Sequence, residues 1–515
     1  MRRVVNRRRF LQLLSAAGIA VPLGCEDYET TPGTGGSGGA GGSGGAGGAG
    51  GAGGSGGAGG AGGTGGGTGG PAKVLVIGGG LAGLTAAYEL DKKGHDVTVI
   101  EGQKKVGGRV STHHEGFENG QYVEEGAVRI PDVHEHTVGY ANELGLTLVE
   151  FSSGEPLYYI DGNAFKHEEG MPWPVAGLIG DEADKGLAKY DDYVLPYFAE
   201  FGNWREGEFP KPGAVRAYDG MSWTDFLKSK GASDPWLKLY AADNGSEVSK
   251  IAALIWMATE VADYEWDKTF HIEGGNDLLP KKLAEKLGDK VKLGLKVTKI
   301  EHTDSGVTVH VDNRGTAETF TGDYLVCAIP FTTLRNVEIS PPLPNDKIGV
   351  IEDLYMMPSS RGFFQTKTRF WKDQGLGGIK LVKTDSPAER IWDLSNVQPG
   401  DNGMLMAYMQ YNNATTFDQQ VEDARRAYLE GIIGGFFPGF SDEVIAYHEK
   451  SWAQDEWVQG AWTDLLPDQW SWFDIIRRSE GRIHFAGEHT SIWAGWMQGA
   501  IESGKRAAQE IDPTA

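Results

Sequence analysis

Two glycine-rich motifs near opposite ends of the chain constrain its fold more than any other feature. The first, Gly78-Gly79-Gly80-Leu81-Ala82-Gly83, follows the apolar run Val74-Leu75-Val76-Ile77 and opens a helical pattern. Leu81, Leu84, Ala87, Tyr88 and Leu90 share the inward face of that helix. Glycines at Gly78, Gly80 and Gly83 permit a tight turn, a close approach of backbone to pyrophosphate, and close packing of helix on strand. The helix N-terminus, with Leu81 and Ala82, then faces the phosphates. A second strand, Val97 to Ile100, leads to Glu101, whose carboxylate can accept hydrogen bonds from ribose hydroxyls. The second motif, Phe485-Ala486-Gly487-Glu488-His489-Thr490, is followed by Gly495-Trp496-Met497-Gln498-Gly499. One such motif implies a dinucleotide. The pair implies an FAD stretched between the two ends of one folded unit, and therefore redox chemistry.

The 515 residues are enough for two or three domains. The formal net charge of -23 argues against nucleic acid as a partner, because a phosphate backbone selects basic surfaces. There are two cysteines, Cys25 and Cys327, which excludes a disulfide framework and a thiolate metal site. Cys327, inside the strand-like run Tyr324 to Pro330, reads as a small buried hydrophobe. His113, His114, His134 and His136 show no carboxylate or helical spacing that would organise them as ligands, so no metal is expected.

Residues 1–25 read as an export signal. Arg7-Arg8-Arg9-Phe10-Leu11-Gln12 resembles the twin-arginine motif, and the apolar run from Leu13 to Leu23 is too short for an ordinary transmembrane helix. That route carries folded cargo, which suits a protein that loads a flavin before export. A plain secretory signal with extra arginines is the alternative. Val21-Pro22-Leu23-Gly24-Cys25 is close to a lipobox, with Pro22 where an aliphatic residue is usual. A lipidated Cys25 acting as a membrane tether and a simple cleavage with release both stay open. Either outcome places the protein in the periplasm or on the cell envelope. Residues 26–71 are a tether dominated by Gly, Ala, Ser and Thr, without an apolar face to bury. Such a coil has a root-mean-square span of roughly 30–40 Å.

The folded part predicts an α/β (α+β overall) architecture: a discontinuous, Rossmann-like FAD-binding domain with an inserted substrate region of mixed sheet and helices. Residues 72–110, 272–330 and 476–515 are assigned to the cofactor domain, and 111–271 and 331–475 to the substrate region, with 171–271 mainly helical. Strands are expected at 291–300, 307–311 and 324–329, and helices at 251–261, 419–433 and 496–511.

The chain resembles the flavin-containing amine oxidase family over nearly all of 72–515, and within it the L-amino acid oxidases most. The likeness rests on 76–83, Gly107-Gly108-Arg109, Glu125-Gly126-Ala127-Val128-Arg129-Ile130-Pro131, Gly274 to Pro280, Phe370-Trp371, 485–490 and 495–504. It implies that Glu101, Gly108 and Arg109 hold the adenosine and pyrophosphate end, and that Gly126, Ala127, Val128 and Arg129 run past the flavin. Val297 would lie by the adenine, and Gly487 and Glu488 by the pyrophosphate–ribityl region. Met497 would offer its N–H to the flavin from a helix N-terminus. The resemblance also assigns Arg129 to a substrate carboxylate, with Trp392 in the substrate pocket. It puts Trp462 and Trp496 as two parallel rings over the flavin's reactive face. Ala461 stands where some members carry a flavin-linking cysteine, so the FAD is expected to be noncovalent. The implied reaction is oxidative deamination of an amine or amino acid, hydride passing to flavin N5 and O2 yielding hydrogen peroxide.

Two positions depart from the family. Arg361 stands where a lysine usually holds a water against the flavin, and it keeps the charge without serving as a base. It is the catalytic candidate there, beside Trp462 and Trp496. In Arg390-Ile391-Trp392-Asp393-Leu394, where tyrosines are usual, Asp393 would repel a carboxylate if it pointed inward. These breaks leave open a desaturase, isomerase or dehydrogenase acting on a non-amine, and the tether leaves open a non-catalytic, surface-tethered flavoprotein.

Overall fold

The run Lys73–Ile77 is the middle strand of a five-stranded, all-parallel sheet in the computed structural model, which describes residues 70–515 except 152 and 153. The export signal, Cys25 and the tether as far as residue 69 lie outside the described residues. Val74, Leu75, Val76 and Ile77 are all buried, as a parallel sheet covered on both faces requires. The strand order is Val291–Leu293, Asp96–Glu101, Lys73–Ile77, Tyr324–Cys327, Ile483–Phe485. Three stretches far apart in sequence therefore build one sheet.

The helix Leu81–Lys92 follows the central strand, and the last helix, Met497–Ile511, packs along it. Small residues set the separation. A Cβ on Gly504 would stand 2.4 Å from the Ala82 carbonyl oxygen, and one on Gly83 would stand 2.1 Å from that of Gly78. His95 Nε2 and Asp512 Oδ2, 3.1 Å apart, join the same two ends. Leu84, Leu90, Val99, Leu279, Val326 and Ile501 fill the core between these layers.

The single strand expected over 291–300 is in fact two. Gly294, at φ +75°, turns the chain. Val291–Leu293 stays in the parallel sheet, while Lys296–Thr303 pairs antiparallel with Gly306–Asn313 in a second, four-stranded sheet. Val297 lies in that second sheet, opposite Val311. The helix expected at 419–433 starts later, at Glu422, and is preceded by a separate helix Tyr411–Asp418.

A seven-stranded sheet runs in the order Val444–Ser451, Ser359–Thr366, Gly403–Gln410, Arg390–Asp393, Val382–Thr384, Leu157–Ile160, Asn163–Phe165. Its central strands are buried on both faces, and their side chains alternate. Phe364, Leu405, Ala407 and Met409 meet Leu429 and Ile433 of a covering helix. Phe363, Met404, Met406 and Tyr408 point the other way, toward Val123 and Val128. That second face carries the site. Between the sheets, the stretch from Glu182 to Ala262 is helical, with Ser222 and Ser233 capping two of its helices through their hydroxyls. Cys327 is buried and unpaired, and burial pushes its thiol up to about 12. Among the described residues no helix is long and apolar enough to cross a membrane.

The glycine contacts give a direct comparison. Gly83→Ala should cost about 1–3 kcal/mol from overpacking against the Gly78 carbonyl. Gly139→Ala, in the helix Glu135–Glu143 with open space around its Cβ, should be neutral or stabilising. Thermal unfolding measures both, and equal shifts would refute the role given to close packing.

Candidate active site

The first glycine motif closes against Gly107-Gly108. The Gly107 N–H donates to the Gly79 carbonyl at 2.9 Å. Gly107 and Gly108 both lie at positive φ, +117° and +56°, where a side chain would strain the backbone. No atom lies within 4 Å of a Cβ built on Gly80, and only Gly80 Cα, at 3.6 Å, approaches one built on Gly108. The two loops thus border a trough walled by backbone, at the N-terminus of the helix that begins with Leu81 and Ala82. A wall of side-chain-free backbone at a helix N-terminus suits a pyrophosphate. Glu101 ends the neighbouring strand, and its carboxylate accepts from Gly79 N–H at 2.5 Å and Gln103 N–H at 2.7 Å. Burial raises its pKa, and these bonds oppose the shift.

Arg109 was assigned to phosphate and Glu488 to the pyrophosphate–ribityl region. The structure joins them to each other, Nη1 to Oε1, at 2.6 Å. The same Arg109 nitrogen donates to the Ala461 carbonyl at 2.9 Å, and the other Glu488 oxygen accepts from Gly495 N–H at 2.9 Å. Gly487, at φ +129°, makes the sharp entry to Glu488 and donates its N–H to Ser503 Oγ at 2.9 Å. This pair therefore ties both glycine motifs and the Ala461-Trp462 strand together.

The segment 124–129 passes directly over Arg109. A Cβ on Gly126 would be 1.7 Å from the Arg109 carbonyl oxygen, which accepts the Ala127 N–H at 3.1 Å. Arg361 holds the segment from the sheet side. Its Nη1 donates to the carbonyls of Glu124, at 2.9 Å, and Gly126, while its guanidinium lies 4.5 Å over the Tyr408 ring. Its Nε is buried without a partner. These bonds make Arg361 a clamp on the backbone of this segment. Lys367, the nearby lysine, instead donates to the Asp442 carbonyl at an exposed edge.

Arg129 stands in a cage of three indoles. Its guanidinium carbon is 4.9 Å from the Trp392 ring, 5.3 Å from Trp496 and 5.5 Å from Trp266. Among the described residues no carboxylate pairs with it and no hydrogen bond ends on it. Burial pulls this guanidinium down to about 10, and the Tyr408 phenol opposes the shift. Trp392 Nε1 is also buried without a partner, and its ring meets Tyr408 edge-on at 5.4 Å. Asp393 does not oppose an anion here. Its carboxylate accepts from Trp371 Nε1 at 2.8 Å and from Ser395 N–H at 2.9 Å, turned away toward the Phe370-Trp371 motif.

Trp496 caps the N-terminus of the last helix, which leaves the Met497 N–H among those without an intrahelical acceptor. The parallel pair expected of Trp462 and Trp496 is not formed as a direct ring contact among the described residues. Trp496 meets His134 and Trp266 edge-on, and Trp462 packs against Gly495, whose Cβ would be 3.2 Å from the indole.

Several residues escaped the sequence reading. Tyr408 and Trp266 line the cage and belong to no motif. Glu124 is fully buried and accepts from Thr112 Oγ1 at 2.9 Å and Asn276 N–H at 2.8 Å. Its burial raises it to about 8, so it is protonated at neutral pH. His489 has two unpartnered buried ring nitrogens and is held neutral, down at about 3, by burial and by Arg109. The exclusion of a carboxylate-organised histidine set fails at one place, where His113 meets Glu125 and His448.

Comparisons with known proteins agree with this geometry. The flavin containing amine oxidoreductase family model matches residues 81–512. The flavin-dependent L-tryptophan oxidase RebO of Lentzea aerocolonigenes is 29% identical over 473 residues, covering 85% of this chain and 98% of that one. The L-amino-acid oxidase of Demansia vestigiata is 28% identical over 461 residues, 86% of this chain and 87% of that one. Among solved structures, putrescine oxidase bound to putrescine superposes with a TM-score of 0.74 at 22% identity, covering 86% of this chain and 99% of that one. The last likeness is one of fold.

Two outcomes test the site's construction. Glu488→Ala strands Arg109 and should lower stability by about 3–5 kcal/mol, read by chemical unfolding. Glu124 gives a pH signature of definite sign. Its folded pKa of about 8 exceeds the ordinary 4.5, so the folded state binds the extra proton between those values. Wild-type stability relative to Glu124→Gln should fall by up to ~1.4 kcal/mol per pH unit as pH rises through that window. Above about pH 8 the difference should level off. A flat difference in unfolding free energy would show that the buried carboxyl is ionised.

Proposed function

Because the chain belongs to the flavin-containing amine oxidoreductase family, we propose that this flavin-dependent enzyme carries out oxidative deamination of an L-amino acid or a closely related amine, on a noncovalently held FAD. The observation that carries the substrate class is Arg129. A half-buried guanidinium that pairs with no carboxylate among the described residues, walled by indole faces, suits an anion that arrives with the substrate.

The residues fit an FAD along the whole span between the two motifs. Gly80 and Gly108 border the trough for its pyrophosphate, and the Met497 N–H and helix N-terminus suit the electron-rich edge of a flavin ring. Ala461 supplies no thiol for a covalent link. When bound, FAD supplies the two-electron acceptor for the substrate's α-carbon hydride, and O2 takes those electrons on to hydrogen peroxide.

The protein's own part is placement. Arg129 grips the carboxylate, and Trp392 Nε1 offers a further donor in the same cage. Trp496 and Trp462 wall the approach and exclude water, which favours an uncharged amine over an ammonium. Arg361, through the carbonyls of Glu124 and Gly126, fixes the segment on which Arg129 is mounted. Product imine then hydrolyses to a keto acid and ammonia. The proposal includes export of the folded enzyme through its leader, with Cys25 as a membrane tether or a release point.

A second reading, dehydrogenation of a non-amine acid, rests on Arg361 in place of lysine. Anaerobic bleaching separates the two. L-amino acids should bleach the yellow protein, and denaturation should release free FAD. Arg129→Met should keep its flavin and lose about 100-fold in kcat/KM for amino acids, while amines without a carboxylate change little. Bleaching only by a non-amine acid, or equal losses on both substrate classes, would refute the reading. Arg361→Lys should raise oxygen-linked turnover if a lysine-held water is what the site lacks.

A further inference from the structure

His113, Glu125 and His448 come from separate strands and meet at one half-buried spot outside the substrate pocket. His113 ends the short strand Thr112–His113, which pairs antiparallel with Val123–Glu124, so Glu125 emerges beside it. His448 reaches them from Val444–Ser451, the outer strand of the seven-stranded sheet. His448 Nε2 is 2.9 Å from Glu125 Oε1, and His113 Nδ1 is 4.0 Å from the same oxygen. The two imidazoles are stacked, with centroids 3.8 Å apart and planes within 5°.

We propose that His113, Glu125 and His448 form a binding site for a divalent transition metal of the zinc class, with water completing the coordination. Two imidazole nitrogens and a carboxylate oxygen are a donor set that such a cation accepts, and three protein ligands leave one position open. The ligand atoms all lie within 4.8 Å of one another. A tetrahedral zinc with bonds of ~2.0–2.2 Å needs them roughly 3.4 Å apart. The rings must therefore fan out of their stack by rotation about their side-chain bonds. Both have solvent on one side, at 28% and 23% exposure, while Phe363 lies behind His448 and Phe117 meets His113 edge-on, so the rings open toward the solvent side.

His448, the Ser111 hydroxyl at 2.7 Å and nearby Lys450 hold the Glu125 carboxyl down at about 2 against its burial. Burial and the neighbouring His448 lower the His113 pKa. Lys450 is itself paired with Asp455 at 2.6 Å, which blunts its repulsion of a cation, and Glu115 adds a second negative charge near His113.

The position gives the site a consequence. The Glu125 carbonyl accepts Trp452 Nε1 at 2.7 Å, and the next residue is Gly126, which Arg361 clamps. A cation on Glu125 would thus stiffen the segment that carries Arg129.

The test uses the flavin-bound enzyme stripped with a chelator and dialysed. Calorimetric titration with zinc chloride should give one ion per chain with a micromolar or tighter Kd. Cobalt(II) should give the visible absorption of a four-coordinate site with nitrogen and oxygen ligands. His113→Asn and His448→Gln should each weaken zinc at least ~10-fold, with an unchanged flavin spectrum reporting that the fold is intact. No saturable binding, or one-to-one binding with the same Kd in both variants, would overturn the proposal.

Discussion

Arg109 and Glu488 are 379 residues apart in sequence and 2.6 Å apart in space. Their pairing joins the glycine loops of the first βαβ unit to the strand and helix at the end of the chain. Everything that makes the site hangs on that closure. Gly126 can cross the Arg109 carbonyl only because Arg109 is held from the other side, and Glu488 reaches on to Gly495 and so to Trp496. The pair is mostly buried, at 20% and 7% exposure of the two side chains, where a charge left alone is costly. The two halves therefore stand or fall together.

Within that frame the pocket is asymmetric. One side offers Arg129, kept among indoles and without a counter-ion, and the other offers the open trough between two glycine loops. A guanidinium in that setting is poorly solvated, and a carboxylate that reaches it replaces water it cannot easily recruit. Asp393 and Glu124, the acids nearest to the question, do not compete. Asp393 is bonded to Trp371 and Ser395, and Glu124 keeps its proton. Neither acid thus offsets the positive charge of Arg129.

The cofactor half of this arrangement was legible in the sequence because its chemistry demands fixed glycines at fixed spacing. Gly78, Gly83 and Gly487 sit at turns or contacts that a side chain would spoil, and such positions leave a mark in a single chain. The substrate half leaves none. Trp266 and Tyr408 reach Arg129 from distant elements, and no local pattern separates them from core aromatics. Arg361 was placed at the right strand, but its role depends on which carbonyls stand opposite, and that is set by the packing of 124–126 on the sheet. The break at Gly294, which moves Lys296–Thr303 into a different sheet, was missed because both halves have strand-like alternation. His113 joined Glu125 and His448 across three strands, where spacing along the chain carries no signal.

Closure by the last helix also fixes the order of assembly. The strand Ile483–Phe485 and the helix Met497–Ile511 are edge and cover for a sheet whose centre is Lys73–Ile77. Contacts of such long sequence separation form late, since the intervening loop must be closed first. During synthesis the first βαβ unit emerges early and waits, with its apolar face uncovered, for the final residues to leave the ribosome. Until then Arg109 has no Glu488 to pair with. A chain cut short before Glu488 would leave the Arg109 charge alone in a mostly buried place, so losing the last strand and helix destabilises the first βαβ unit as well.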